Sequence, residues 1–108
     1  MKSALWSSKG SFMPRQYPPL TPEEVIRILR ARGFVWQRIR SSHEFYRGVV
    51  RERVRNVTVD RHYPEFDPKR IRDMLDQSGL TREEFYGSTK ESAHKIGLRA
   101  DVYPIPLK

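Results

Sequence analysis

The sequence predicts a small α+β domain in which one helix, three antiparallel strands and two further helices follow each other. Two observations predict this fold class. Helix-start patterns with apolar residues at helical spacing flank the middle of the chain, and between them the spacing changes to that of strands. With 37% hydrophobic residues among 108, the chain can bury one small core. We therefore expect an αβββα sandwich, with the helices on one face of the sheet and the other face open.

The first helix is predicted by a strong start signal. Thr21 can accept hydrogen bonds from the first turn, Pro22 fits the first helical position, and Glu24 completes a capping box. An apolar stripe at helical spacing follows, made of Val25, Ile28 and Leu29. Gly33 ends the helix, because glycine adopts the left-handed conformation at little cost.

Three strands are predicted after this helix. Residues 34–40 and 43–47 are rich in aromatic and β-branched residues, and residues 55–61 alternate between apolar and polar side chains. Ser41-Ser42 makes the first turn, and Gly48 begins the second connection. Because the links are short, we expect an antiparallel meander.

The last predicted elements are two helices. Asp67 and Pro68 begin one that Gly79 ends, and Thr81 opens a short helix that ends near Gly87. We expect the chain to consist of a flexible N-terminal extension, one folded domain and a polar tail, residues 1–20, 21–87 and 88–108.

Positive charge is concentrated in the predicted strands. The chain has 21 Lys and Arg against 13 Asp and Glu, a formal charge of +8, and 15 of the cations are arginine. Six arginines and two glutamates between Val35 and Arg55 give that stretch a charge of +4. Guanidinium groups bind phosphate bidentately, which favours a nucleic-acid partner. A solvated face kept basic for solubility is the alternative.

The composition also excludes several classes of protein. Without cysteine there is no disulfide, thiol nucleophile or Cys-based zinc site. No apolar run reaches the roughly 18 residues that a membrane helix needs. Residues 1–19 lack the continuous apolar segment of a secretory signal. We expect a cytoplasmic protein without a cofactor or a metal ion.

Three histidines are the candidates for acid–base chemistry. His43 follows the first predicted turn and is flanked by arginines, a setting in which imidazole can take the proton of an RNA 2′-OH while cations stabilise the phosphate. A partly buried structural histidine is the alternative. His62 fits a loop histidine bonded to the backbone. With Asp60 and Glu44 it also suggests a metal cluster, although the spacing matches no closed metal signature. His94 is expected in solvent.

Several segments between Thr21 and Tyr86 resemble the HicA/YcfA-like toxin family in their order and spacing. They are Arg32–Val35, Ser42-His43 followed by Phe45 and Tyr46, Val57–Val59 with His62 after Asp60, and Ile71–Thr81. The resemblance implies a double-stranded-RNA-binding-domain-like fold. It further implies a ribosome-independent mRNA interferase that needs no metal and is silenced by a HicB-type antitoxin.

The resemblance also implies one catalytic residue. The family's single catalytic histidine lies in a Gly-Ser-His motif, which falls here on Ser41-Ser42-His43, so His43 is the expected catalytic group. Two positions depart from the family pattern: Ser41 replaces the glycine, and Glu44 stands where many members have a second histidine. We expect the RNA to be bound by Arg38, Arg40, Ser42, Arg47, Arg55 and His62.

Other functions fit the same sequence. The fold can bind RNA without cleaving it, and its basic surface can bind an acidic protein instead. DNA recognition is less favoured, because the sheet separates the helices and no helix-turn-helix spacing results.

Overall fold

The computed structural model describes residues 16–108 and confirms the predicted α+β class. Residues 1–15 of the predicted extension lie outside this part of the chain. The elements in chain order are α1 (Pro22–Ala31), β1 (Val35–Arg40), β2 (His43–Val50), β3 (Arg53–Asp60), α2 (Pro68–Ser78), α3 (Arg82–Tyr86) and α4 (Lys90–Lys95). The sheet has the order β1-β2-β3, and both pairs are antiparallel, as predicted. Among the described residues, no helix has the length and apolar character to cross a membrane.

The core lies between the helices and one face of the sheet. Both α1 and α2 contact β3, and their apolar stripes pack against the inward side chains of β2 and β3. The buried residues of these elements include Val25, Ile28, Leu29, Tyr46, Val50, Val57, Val59, Ile71 and Met74. Alternate side chains of the strands point away from this core, and we call the surface that they form the open face. Every residue of β1 is exposed.

The second turn lies later than the sequence predicts. Gly48 does not begin a connection but lies inside β2, and Arg51 and Glu52 form the turn with positive φ angles of 52° and 66°. Gly48 is needed for packing, because a Cβ there would lie 2.7 Å from Cγ of the buried Phe34 ring. Both positive φ angles suit a two-residue hairpin turn, and the Arg51 side chain donates to the carbonyl oxygen of Gly79 at 2.8 Å, which ties the turn to the end of α2.

The C-terminal segment contains a helix that the sequence does not predict. The polar tail expected over residues 88–108 includes α4, whose N-terminus is capped by Thr89. Arg32 donates to the carbonyl oxygens of Glu84 at 2.7 Å and Ile105 at 2.6 Å, which fastens the segment to α1 and α3. A six-residue helix without an apolar stripe shows little periodicity, which explains why the sequence does not predict α4. The domain boundary at 87 stays a prediction.

The first turn leads to a stability prediction. Ser41 has a φ of 56°, in the left-handed region where a side chain costs about 1 kcal/mol and glycine does not. We expect Ser41→Gly to raise the free energy of unfolding by up to about 1 kcal/mol, because the larger entropy of glycine in the unfolded chain offsets part of the gain. Urea unfolding of both proteins measures this. A Ser41→Gly protein less stable than the natural one would contradict it.

Candidate active site on the open sheet face

Strand register brings the candidate residues together on the open face. Directly paired residues of antiparallel strands share one face of a sheet. Three rows of paired residues cross this face, namely Arg40–His43–Asp60, Arg38–Phe45–Thr58 and Val35–Arg47–Asn56. The predicted catalytic histidine and three of the predicted RNA-binding arginines therefore lie on one surface.

The three arginines of this surface are exposed and point away from the core. The guanidinium carbon of Arg38 lies 4.2 Å from the centre of the Phe45 ring, a cation–π contact. Arg47 donates through Nε to Oδ1 of Asn56 at 3.2 Å. Arg40 pairs with His43 across the first hairpin. These cations can meet a polyanion without first breaking an ion pair among the described residues.

His43 lies next to a carboxylate. Its Nε2 is 3.2 Å from Oδ2 of Asp60, and its side chain is 48% exposed. The other oxygen of Asp60, Oδ1, accepts from the Ser42 hydroxyl at 2.7 Å and from the backbone N–H of His62 at 2.9 Å. The imidazole is thus accessible to a ligand on one side and held by a fixed anion on the other.

Asp60 stays ionised in this setting. The hydrogen bond from Ser42 lowers the pKa of Asp60 most, the backbone N–H of His62 and the nearby His43 add to the effect, and partial burial opposes it. Each of these interactions favours the charged carboxylate over the neutral acid. A negative charge therefore remains beside His43 at neutral pH.

The comparisons with known proteins identify the family. Residues 22–80 match the family described as HicA toxin of bacterial toxin–antitoxin, which is 59 of the 108 residues and more than half of the chain. The chain belongs to the HicA toxin family. The matched range contains α1, the whole sheet and α2, and so the entire open face. A comparison with curated proteins finds no match.

Membership of the HicA toxin family confirms the resemblance found in the sequence. It gives the protein the role of a toxin in a toxin–antitoxin pair and implies an antitoxin as its partner. The match ends at residue 80, so α3, α4 and the C-terminal segment lie beyond it.

Glu44, which follows His43 in the sequence, points away from it. It lies on the helix side of β2, where Arg61 pairs with it at 3.0 Å and the Tyr46 hydroxyl donates to it at 2.9 Å. Burial and this hydrogen bond raise the pKa of Tyr46 to about 12. Glu44 and Asp60 therefore face opposite sides of the sheet, and the metal cluster imagined from the sequence does not form from them.

Two predicted RNA-binding residues are placed differently from the others. Arg55 lies on the helix side of β3, where its guanidinium packs against Gly79 at the end of α2 and its Nε is buried. His62 is exposed just after β3, with its ring edge-on to Tyr63 at 5.5 Å. His62 contacts the site through its backbone N–H, which donates to Asp60. Arg55 is not brought together with His43.

The residue that sequence reasoning misses is Asp60. The sequence suggests it only as part of a metal cluster and predicts no histidine–carboxylate pair. The signal lies in the hairpin lengths, because a two-residue turn at Arg51 and Glu52 pairs Val50 with Arg53 and, counting outwards, His43 with Asp60. The wrong position of the second turn hides this pairing.

Proposed function

We propose that this HicA-family toxin is a metal-independent endoribonuclease that cleaves mRNA and uses His43 for proton transfer. One observation carries the proposal: an accessible imidazole lies on a basic surface that Arg38, Arg40 and Arg47 share. RNA supplies its own nucleophile, so that proton transfer and charge stabilisation are the two tasks left to a protein.

The proposed reaction is an internal transfer within the RNA. The 2′-OH loses its proton, and its oxygen attacks the adjacent phosphorus. The new O2′–P bond replaces the P–O5′ bond, and the departing O5′ takes up a proton. The products are a 2′,3′-cyclic phosphate and a 5′-hydroxyl. His43 accepts the proton of the 2′-OH or supplies that of O5′, while the guanidinium groups stabilise the charge on the phosphate.

The proposal extends to the partner and the compartment of the toxin. We infer that an antitoxin of the HicB type silences the toxin, and that the reaction takes place in the cytoplasm, where mRNA is translated. The Arg38–Phe45 stack also suits RNA binding alone, since guanidinium and aromatic groups stack with bases in any sequence. A non-catalytic RNA-binding module is therefore the second candidate.

A cleavage assay separates these two functions. Purified protein is incubated with end-labelled RNA in the presence of EDTA. We expect the RNA to be shortened, because imidazole and guanidinium groups perform every step assigned above. RNA that is bound in a gel-shift assay but stays intact would instead support the binding module.

The arginines of the open face give a prediction for affinity. We expect replacement of Arg38, Arg40 or Arg47 by glutamine, in a His43→Ala background, to weaken the binding of single-stranded RNA. The slope of log K against log salt should fall by about 0.7 for each phosphate that the variant no longer binds. Arg99→Gln, in the exposed C-terminal segment, is the control with the same change of charge. Equal slopes in all four variants would contradict the placement of RNA on this face.

A further inference from the structure

We propose that Asp60 is a positioning residue that keeps the Nε2 proton on His43 and leaves Nδ1 as the atom that exchanges a proton with RNA. This inference rests on the proposed function. It goes beyond that function by choosing the ring nitrogen, by adding the Asp60 carboxylate to the site and by giving the Ser42 hydroxyl the role of orienting it.

The first step of the argument is the contact between the two side chains. Nε2 of His43 lies 3.2 Å from Oδ2 of Asp60. A neutral imidazole carries one N–H, and a neighbouring carboxylate favours the tautomer whose N–H faces it. Nδ1 then has the lone pair that can accept a proton. In this way, the group that contacts one ring nitrogen determines which role the other ring nitrogen has.

The second step is that Asp60 is itself fixed. Its Oδ1 accepts two hydrogen bonds, from the Ser42 hydroxyl and from the backbone N–H of His62, whereas Oδ2 is the oxygen that lies next to the imidazole. The strand register pairs Asp60 with His43, which fixes the backbones that carry both side chains. The carboxylate is thus oriented from two directions before any RNA binds.

The third step concerns charge. The charged groups that the strand register places beside His43 are Asp60 from β3 and Arg40 from β1, and His62 contacts Asp60 through its backbone N–H. Asp60 is the anion among them. Proton uptake at Nδ1 produces an imidazolium, which the neighbouring carboxylate stabilises. If the pairing of Asp60 with His43 were purely structural, it would stabilise only the end of the hairpin.

The test compares Asp60→Asn with Asp76→Asn, a control with the same change at an exposed site on α2. We expect Asp60→Asn to slow RNA cleavage at least about 10-fold, as removal of an orienting partner does for other histidines, and Asp76→Asn to cleave at the natural rate. Long-range ¹H–¹⁵N spectra of the natural protein should show His43 with its proton on Nε2. In Asp60→Asn both tautomers should be populated.

The possible failures are distinguishable. If His43→Ala is inactive while Asp60→Asn cleaves at the natural rate, the inference is wrong and the proposed function stands. If His43→Ala cleaves normally, the proposed function fails. The tautomer in the natural protein is independent of how well any variant folds, and a proton on Nδ1 there overturns the inference.

Discussion

On the proposed function, His43→Ala is expected to slow RNA cleavage by at least about 100-fold and to abolish growth arrest in cells that express the protein. General acid–base catalysis contributes factors of about 10² to 10⁴, and the described chain offers no other imidazole in the open-face rows to replace His43. Cleavage rates of the purified proteins and the growth of expressing cells measure the effect.

The fold of His43→Ala should stay intact, because the side chain is half exposed and makes no core contact. Circular dichroism and urea unfolding check this. His94→Ala is the matched control, since His94 is an exposed histidine on α4, and it should cleave at the natural rate. A His43→Ala protein that is folded and fully active would refute the catalytic assignment.

Glu84→Gln is expected to lower the free energy of unfolding by about 3 kcal/mol at pH 7. The Glu84 side chain is 2% exposed and accepts from Nη2 of Arg51 at 2.5 Å and from the backbone N–H groups of Thr81 and Lys108 at 3.0 Å. These contacts join the β2–β3 turn, α3 and the C-terminus. Glutamine removes the charge and leaves the half-buried guanidinium of Arg51 without its anion.

The same carboxylate predicts how stability depends on pH. Burial alone raises the pKa of Glu84, but the hydrogen bonds from Arg51, Thr81 and Lys108 outweigh it and lower the pKa from 4.5 to about 2. A folded-state pKa below the unfolded value stabilises the fold fully above about pH 5, and this contribution disappears as the pH falls towards 2. The stability difference between the natural protein and Glu84→Gln should therefore shrink by more than half between pH 7 and pH 3.

Urea unfolding at the two pH values measures this difference. The control is Glu83→Gln, one residue earlier on α3, where an exposed carboxylate pairs with Arg82. Exposed ion pairs contribute less than about 1 kcal/mol, so the control should unfold nearly as the natural protein does at both pH values. A Glu84→Gln protein as stable as this control would contradict the buried pair.

The sequence predicts an element correctly where its capping residues and its pattern of apolar residues indicate the same element. The capping box at Thr21 predicts the start of α1, and Thr81 predicts the start of α3. In the structure both residues form capping boxes with reciprocal hydrogen bonds. Gly48 misleads, because a glycine that makes room for a buried ring looks the same in a sequence as one that makes a turn. Arg51 and Glu52 are not residue types that predict a turn. The Arg51 side chain contacts residues about 30 positions away in the sequence, and such contacts cannot be recognised from the local sequence.

The candidate site is predictable only in part, because the position of the second turn cannot be read from the local sequence. His43 and the arginines of β1 and β2 follow from their position beside a short turn and from the resemblance to the family. The pairing of His43 with Asp60, the opposite orientation of Glu44 and the inward position of Arg55 all depend on the register of β2 against β3. A shift of one residue in that register exchanges the two faces of a strand, so an error in the turn becomes an error in the site.

The chemical nature of the cut ends tests the central claim most directly. RNA cleaved by the purified toxin in EDTA is analysed by mass spectrometry and by its susceptibility to a 5′-kinase. Attack by the neighbouring ribose hydroxyl predicts 2′,3′-cyclic phosphate and 5′-hydroxyl termini. Fragments with 3′-hydroxyl and 5′-phosphate termini would show that water, rather than the RNA itself, is the nucleophile, and would contradict the account.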